Sequence, residues 1–289
     1  MIRPATIHDA REYGRVWSDA VPSEKSASDD WEMTRPLFGH EVRTGIAMVA
    51  ESDGRAQGLA VAIERHDILY LAELAVRAEV QLKGIGRSLL DAVFDGQNGS
   101  RATLSAMDYR AHALYVRAGM TPRFPVYCLR GEQIDPNHLW GKPDDLSSGT
   151  TEDIVALDAS VGARLRAVDI DFYASAADAE RFLVGNSKAP AAYSVVQRCQ
   201  VEEPGVAGAW LIGPIGSVHA TSALRDVYTT VVWAASRTSI MEMRIPGPHP
   251  ALPALLDAGF KITYIETFFS AGDPFIDPAR YIPGGGALF

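Results

Sequence analysis

The sequence predicts an α/β fold, an α+β mixed sheet flanked by helices, that is repeated in two tandem halves. Strand-like and helix-like segments follow one another in the order β-α-α-β-β-β-α-β-α-β within about the first 130 residues. Asp53-Gly54 separates two apolar runs, which is a strong β-hairpin signal. The pattern then returns at a constant spacing, because Gly119 in Ala118-Gly119-Met120 corresponds to Gly259 in Ala258-Gly259-Phe260. We therefore expect two domains, each with a mostly antiparallel mixed sheet.

The elements of the first half follow from apolar periodicity and from capping residues. Residues near 2–7 predict a strand, and Asp9 can cap a helix over roughly 10–20. Asp29 and Glu32 have capping-box spacing and predict a second helix. The remaining apolar runs are bounded by turn residues and predict strands at 45–51, 58–64, 68–76, 102–107 and 124–129, with helices from about 87 to 97 and over 111–118.

The second half repeats this pattern with low identity. The spacing of Gly119 and Gly259 places the apolar run 210–215 beside 70–75, and the helix-like stretch 227–237 beside 87–97. A polar stretch rich in Pro, Asp, Ser and Gly lies between the halves and predicts a linker. The predicted organisation is a first domain over 1–132, a linker over 133–150 and a second domain over 151–289.

Composition limits the classes of function. The chain of 289 residues is 47% hydrophobic and 22% charged, with a formal net charge of −9. It shows no basic stripe for nucleic-acid phosphates and no apolar run near the roughly 20 residues that span a bilayer. Met1–Thr6 lacks a signal-peptide core, and Cys128 and Cys199 are too few for a disulfide framework. We expect a cytoplasmic protein without nucleic-acid or membrane partners, and its histidines have no metal-binding spacing.

One segment carries a clear chemical signal. Gln81-Leu82-Lys83-Gly84-Ile85-Gly86, which we call the glycine loop, lies between an apolar strand-like run and a helix-like run with Leu89, Leu90, Val93 and Phe94 at helical spacing. Without Cβ atoms, its two glycines let the backbone approach a phosphate closely. The unpaired N–H groups and the positive dipole end of the following helix would point at that anion. The loop therefore predicts an anion cradle.

The glycine loop and its surroundings resemble the GCN5-related N-acetyltransferases, the GNAT family. The motif Gln81-x-x-Gly84-x-Gly86 after the strand end Leu74-Ala75-Val76 matches the family's acyl-CoA signature. Asp108-x-x-Ala111-x-x-Leu114-Tyr115-x-x-x-Gly119-Met120 is similar to its next motif, and the matches cover most of residues 1–130 in order. Residues 210–214, 246 and 255–260 resemble, more weakly, the C-terminal halves of tandem members.

This resemblance implies acetyl-CoA as cosubstrate. The CoA pyrophosphate would lie on the amides of the glycine loop, and the pantetheine would add as a pseudo-strand where the family's strands splay apart. An amine would then attack the thioester directly. The residues implied at the cofactor are Leu74, Ala75, Val76, Gln81, Leu82, Lys83, Gly84, Ile85, Gly86, Arg87, Ser88, Asp108 and His112.

Two side chains are implied to transfer protons. Tyr115 stands at the family's general-acid position, from which a phenol can protonate the departing thiolate; the alternative is a tyrosine that only packs its helix on the sheet. Glu73 is the only carboxylate in the run 68–76 and is the candidate base. Its alternatives are a glutamate that orients the amine or a simple edge residue, since many members of the family deprotonate through water.

Two neighbouring positions leave alternatives open. Asp108 stands where the family usually has an asparagine that bonds the cofactor, and a carboxylate cannot donate that bond. Asp108 could instead bind water or the substrate amine. His112, one turn before Tyr115, either lines the cofactor pocket or is an exposed helix residue.

The acceptor is expected between the first two helices. Acidic residues cluster there with a single lysine, Lys25, and Trp31 is a further candidate for binding the acceptor; the acidic residues are Asp19, Glu24, Asp29, Asp30 and Glu32. They could attract a cationic amine such as an aminoglycoside, a polyamine or an amino-sugar natural product, or they could be capping and solvated residues.

We therefore predict acetyl transfer to a primary amine of a small, cationic molecule. Acylation of a protein or peptide, and a non-catalytic CoA-binding sensor, are the alternatives. The second half has no glycine at 221–226, where Asp226 would repel a phosphate, so one CoA site per chain is expected. That half should wall the acceptor cleft and is a candidate surface for a homodimer. Gly284-Gly285-Gly286 predicts a turn or a flexible tail.

Overall fold

The computed structural model divides into two compact units, Met1–Thr103 and Leu104–Phe289. The structure describes residues 1–20, 36–135, 142–162, 165–175, 179–186, 188–198 and 209–288.

The first unit is a sheet with helices on both faces. Its strands are β1 (Ile2–Pro4), β2 (Ile46–Ser52), β3 (Arg55–Arg65), β4 (Ile68–Val76) and β5 (Ser100–Ser105), whose last two residues belong to the second unit. Its helices are α1 (Ala10–Ala20), α2 (Pro36–Thr44) and α3 (Ile85–Phe94). The strands pair in chain order, antiparallel except for the parallel pair of β4 and β5.

The predicted elements of this unit are present where the chain is described. Asp53 and Gly54 form the turn between β2 and β3 with φ values of 54° and 73°. Strand β5 begins two residues before its predicted start, because its ladder with β4 already opens at the pair of Ile68 and Ser100. The helix predicted from Asp29 falls outside the described residues.

Successive residues of β3 show that α1 and α3 lie on opposite faces of the sheet. A Cβ at Gly58 would contact Leu89 of α3 at 3.0 Å. The next residue, Leu59, packs instead with Tyr13 of α1. Adjacent residues of a strand point to opposite faces, and burial of each large apolar side chain contributes about 2 kcal/mol. The helical spacing of Leu89 and Val93 therefore fixes which face of α3 is buried.

The second unit is built on a longer sheet. Its helices are α4 (Tyr109–Arg117), α5 (Thr151–Val161), α6 (Ala167–Ala174), α7 (Ala223–Ala235) and α8 (Ala251–Asp257). Its strands are β6 (Thr121–Glu132), β7 (Leu146–Ser148), β8 (Glu180–Val184), β9 (Ala192–Arg198), β10 (Trp210–Ser217), β11 (Ile240–Pro246), β12 (Lys261–Ser270) and β13 (Tyr281–Ile282). The strands lie in the order β12-β6-β11-β10-β9-β8-β7, and β13 pairs with β10.

The boundary between the packing units differs from the predicted domain boundary at residue 132. Strand β6, predicted as the last strand of the first domain, is hydrogen-bonded on one side to β11 and on the other to β12. Those long ladders join β6 to the C-terminal part of the chain. The linker predicted over 133–150 also contains a strand, β7, which pairs with β8. The limits of the duplicated domains remain a prediction.

The duplication itself is visible in the elements. Strands β6 and β12 follow Met120 and Phe260, and β5 and β11 begin at Ser100 and Ile240, in both cases 140 residues apart. In the central strands the spacing is one residue larger, as the positions of their bulges show: β4 is interrupted after Leu71 and β10 after Ile212. The chain is thus two tandem α/β halves of the same topology.

Of the two alternatives predicted for Gly284–Gly286, the turn fits the bends at Gly284 and Gly286 and the flexible tail does not. Tyr281 to Gly284 are buried, and β13 continues the ladder of β10. A Cβ at Gly284 would lie 2.6 Å from Pro214 Cδ. Gly284 therefore lies where the C-terminal segment passes close to β10.

Membrane and metal contacts were expected to be absent. Across the described ranges, no helix has the length and apolar character to cross a bilayer. The same ranges hold no group of three or more His, Cys, Asp or Glu side chains placed to bind a metal ion. Cys128 is a free thiol whose pKa is raised by burial to about 12, and Cys199 lies outside the described residues.

Candidate active site

The glycine loop lies between β4 and α3. Gln81 has an extended backbone, Leu82 has φ 64°, and Gly84 caps α3 at φ 86°, a value that residues with a Cβ rarely adopt. A Cβ at Gly84 would meet no atom within 4 Å. Gly86, the second residue of α3, has an ordinary helical backbone. Of the two glycines, only Gly84 is therefore favoured by its backbone conformation, and the space beside its Cα is open.

The backbone amides of this loop are available to an anion. Within the described part of the chain, the N–H groups of residues 82–87 donate to no protein atom, and the first internal bond of α3 runs from Ser88 N–H to the Gly84 carbonyl at 3.0 Å. Helix N-termini and loops with left-handed residues bind anions through such groups. The geometry is that of an anion cradle.

Side chains brace the cradle and add positive charge. Gln81 Nε2 donates to the Val76 carbonyl at 2.9 Å, which ties the loop to the end of β4. Lys83 Nζ donates to the Glu79 carbonyl at 3.3 Å. Arg87 is exposed, with Nε 3.8 Å from Asp91 Oδ2, and Ser88 is exposed beside it.

The end of β4 has one unpaired edge. The parallel ladder of β4 with β5 extends, in the described residues, only to Leu71 and Thr103, although β4 continues to Val76. On the other edge, Arg77 N–H donates to the carbonyl of Gln57 in the ladder with β3. Because bonded pairs alternate along an antiparallel ladder, Leu74 and Val76 direct their backbone groups away from β3, to the open edge.

Glu73 directly follows the bulged residue Ala72 of β4 and is buried, with 8% of its surface exposed. Trp17 Nε1 of α1 donates a hydrogen bond to Glu73 Oε2 at 2.8 Å. The edge-residue alternative does not describe this position, because the carboxylate is held inside the unit at the strand end. The sequence analysis missed Trp17, and its only signal was an aromatic residue on the apolar face of α1.

Asp108 caps helix α4 in the second unit. Its Oδ1 accepts from Arg110 N–H at 2.8 Å, and its Oδ2 lies 2.8 Å from Arg110 Nη2. The hydrogen bond from the Arg110 side chain holds the pKa of Asp108 below its usual value. His112 Nε2 lies 3.0 Å from the Ala106 carbonyl, and its half-buried ring is 5.0 Å from that of Phe269, so His112 is not a freely exposed residue.

Tyr115 lies on the buried face of α4. It is 5% exposed, and its ring meets the edge of the Phe269 ring with 5.7 Å between centroids. The tyrosine thus packs α4 against β12, as the packing alternative requires.

The sequence was compared with models of known protein families and with curated proteins. Residues 43–121, from α2 to the start of β6, match the family model of the acetyltransferase (GNAT) domain. The chain contains a GNAT acetyltransferase domain. Among curated proteins, none matches the sequence.

Solved structures share the fold over the whole chain. A candidate acetyltransferase from Pyrococcus horikoshii superposes with a TM-score of 0.76 at 13% identity, over 100% of this chain and 95% of that one. A GCN5-related N-acetyltransferase from Sphaerobacter thermophilus gives 0.63 at 13%, over 96% of both chains. A tandem GNAT protein from the clavulanic acid biosynthesis pathway gives 0.62 at 15%, over 94% and 99%. At these identities the comparison shows a shared tandem GNAT fold.

The C-terminal GNAT-like half has no counterpart of the glycine loop. Helix α7 begins at Ala223 after Ser222, with no glycine at its start. Asp226 is fully buried, accepts a hydrogen bond from Ser222 Oγ at 2.9 Å, and has a pKa raised by burial. Its carboxylate therefore faces inward and stabilises the first turn of α7, rather than facing an anion as the sequence suggested.

Arg77 is a second residue of the GNAT domain that sequence reasoning missed. Its side chain is buried and donates from Nε to the Ala56 carbonyl at 2.7 Å. It also pairs with Asp19 and, at 3.2 Å, with Glu12 Oε2, both on α1. The signal was a single arginine directly after the apolar run of β4. Asp19 is thereby paired with a buried arginine.

The predicted acceptor residues Glu24, Asp29, Asp30 and Trp31 lie outside the described residues. Their assignment stays a prediction.

Proposed function

We propose that the chain is an acetyl-CoA-dependent N-acetyltransferase that acetylates a primary amine of a small, cationic molecule. One observation carries the proposal: an anion cradle at residues 82–87 follows directly on the open edge of β4, inside a GNAT domain. The anion cradle suits a pyrophosphate, and the open edge of β4 suits an extended chain of amides.

The residues present fit coenzyme A in two respects. The amides of residues 82–87, with Lys83 and Arg87 nearby, supply donors and positive charge for phosphate groups. The N–H and carbonyl of Leu74 and the N–H of Val76 face the open edge and suit pantetheine amides, in the manner of strand addition, while the Val76 carbonyl accepts from Gln81. Bound acetyl-CoA supplies an activated thioester carbonyl.

The transfer needs no enzyme nucleophile. The substrate ammonium first loses one proton and becomes a neutral amine. Its nitrogen then bonds to the carbonyl carbon, the carbon–sulfur bond breaks, a second proton leaves the nitrogen and one proton reaches the thiolate. In our proposal Tyr115 donates the proton to sulfur. Glu73 orients the ammonium group or accepts its proton, and Trp17 fixes the carboxylate in place.

The acceptor is proposed to be cationic. The net charge of −9 and the buried carboxylate of Glu73 favour a positively charged molecule over an acidic one. One structural neighbour is described as a glucosamine N-acetyltransferase region of a fungal multi-domain GH3 β-N-acetylglucosaminidase, with a TM-score of 0.68 at 13% identity over 93% of this chain and 38% of that one. Amino sugars therefore stand first among the amines to try.

The experiment follows free thiol release from acetyl-CoA with a panel of amino sugars, aminoglycosides, polyamines, amino acids and short peptides, and identifies products by mass spectrometry. We expect steady release with at least one cationic small molecule. Turnover with peptides alone would replace the proposal by peptide acylation. Tight CoA binding without turnover on any amine would replace it by a CoA-binding module.

A further inference from the structure

In the C-terminal half, β10 likewise extends beyond its parallel ladder with β11. In the described residues, the parallel ladder of β10 with β11 covers only Trp210 and Leu211, although β10 continues to Ser217. The bulges after Leu71 in β4 and after Ile212 in β10 lie 141 residues apart. At that spacing, Ile215 corresponds to Leu74, whose backbone groups lie on the open edge of β4.

The same alternation of hydrogen bonds holds in this half. Ser217 N–H donates to the carbonyl of Arg280 at 2.9 Å, beside the paired residues Gly216 and Tyr281. Ile215 and Ser217 therefore direct their backbone groups away from β9, as Leu74 and Val76 do away from β3. In the C-terminal half this edge is covered by β13, which belongs to the end of the same chain.

The covering segment, residues 281–288, passes unusually close to β10. A Cβ at Gly213 would lie 2.4 Å from the Pro283 carbonyl oxygen, and one at Gly284 would lie 2.6 Å from Pro214 Cδ and 2.9 Å from Tyr173 Cζ. Such distances exclude any side chain at Gly284. The space beside β10 therefore admits only a narrow chain without bulky side chains. A pantetheine arm is also narrow and extended.

A buried ion pair anchors residues 281–288. Arg166 donates from Nε to Asp158 Oδ2 at 2.9 Å and from Nη1 to the Leu288 carbonyl at 3.1 Å. It also bonds the hydroxyl of Tyr281, and Tyr193 donates to Asp158. A buried pair is stable only when its hydrogen bonds are completed, and here the end of the chain completes them.

We propose that the edge of β10 is a binding site for an extended amide chain of the pantetheine class, and that residues 281–288 occupy it in cis. The comparison with pantetheine rests on the proposed function of the first half. The consequence is that each chain binds one CoA, because the second groove is filled by protein and lacks an anion cradle.

Hydrogen exchange read by mass spectrometry on the full-length chain, first without any ligand, tests this. Gly284→Val should displace residues 281–288 and accelerate amide exchange in residues 210–217 on the order of tenfold or more. Gly286→Ala is the matched control, because its Cβ would meet only ordinary contacts, the nearest 3.7 Å away, and exchange should stay as in the wild type. If Gly284→Val fails to fold, Gly284→Ala imposes the same Cβ contacts with fewer atoms.

Added pantetheine then tests the ligand class. It should slow exchange in residues 210–217 of the Gly284→Val variant and leave the wild type unchanged. Unchanged exchange in the variant without ligand would overturn the occupancy, and an exposed β10 that pantetheine does not protect would overturn the ligand class. Two molecules of CoA bound per wild-type chain would contradict the proposal as well. A wild type that binds no CoA would defeat the proposed function alone, since the ligand-free exchange does not depend on it.

Discussion

Trp17 Nε1 donates a hydrogen bond to Glu73 Oε2 at 2.8 Å, which joins α1 to the end of β4 beside its open edge. In the proposed reaction this bond fixes the carboxylate that receives or orients the amine.

Glu73→Gln should lower kcat/KM for the amine about 100-fold, because the amide still accepts the bond from Trp17 but carries no charge. The dissociation constant of acetyl-CoA should stay the same. Steady-state kinetics and calorimetry measure the two effects, with Glu64→Gln, an exposed carboxylate on β3, as control. Full activity in Glu73→Gln would exclude any role of this carboxylate in the reaction.

Tyr115→Phe should lower kcat on the order of 100-fold, the range expected for loss of a general acid, with the CoA affinity near that of the wild type. The phenylalanine keeps the ring contact with Phe269. Tyr109→Phe is the matched control on the same helix, since Tyr109 is 81% exposed. Unchanged turnover in Tyr115→Phe would leave the tyrosine with packing only.

Asp108→Ala should destabilise the protein by about 1 kcal/mol, because α4 loses its N-cap. Asp108→Asn keeps an acceptor for Arg110 N–H and should cost less, since a half-exposed ion pair is worth at most about 1 kcal/mol. Urea denaturation compares the two variants. Equal losses would show that the charge, and not the cap, is what matters at this position.

The local features of the site were predictable from the sequence, and the long-range ones were not. The glycine loop and β4 carry their own signals, and the structure places both as predicted. The bond between Trp17 and Glu73 joins residues 56 positions apart, which no periodicity reveals. The N-cap at Asp108 is also a local feature, since its carboxylate accepts from Arg110 N–H two residues further on, but the sequence motif assigns this residue to the cofactor instead.

Strand pairing explains the remaining differences. Strand β6 lies between β11 and β12 because each of its edges pairs with a strand far along the chain. A run of apolar residues predicts a strand but does not predict which strands pair with it. The three glycines 284–286 look flexible in the sequence. Gly284 is required because β10 and Tyr173 pack closely against it, and the sequence alone does not predict that contact.

Stability should fall between pH 6.5 and 4 because of His249. Burial lowers its pKa from 6.5 to about 4, and Ala251 N–H donates to Nδ1, which requires an unprotonated nitrogen. In this range the unfolded chain binds a proton that the folded chain does not. The stabilisation is therefore complete above pH 6.5 and is lost as the pH falls toward 4, by about 3 kcal/mol.

Urea denaturation of His249→Asn at pH 7 and pH 4.5 checks this. The asparagine can still accept from Ala251 N–H, and the loss of stability between the two pH values should shrink relative to the wild type. His66→Asn, at an exposed histidine, should keep the wild-type loss. The same loss in His249→Asn as in the wild type would contradict the assignment.

The most direct test of the account is acetyl-CoA binding by calorimetry to the wild type, Gly84→Leu and Gly54→Leu. The two glycines share a left-handed backbone, with φ 86° and 73°, and neither has an atom within 4 Å of a built Cβ. The strain of substitution is thus matched, and only residue 84 lies at the anion cradle. We predict one CoA per wild-type chain, wild-type affinity in Gly54→Leu, and affinity weaker on the order of 100-fold in Gly84→Leu, from lost charge-assisted bonds to phosphate. Undiminished affinity in Gly84→Leu would show that CoA does not bind at the glycine loop.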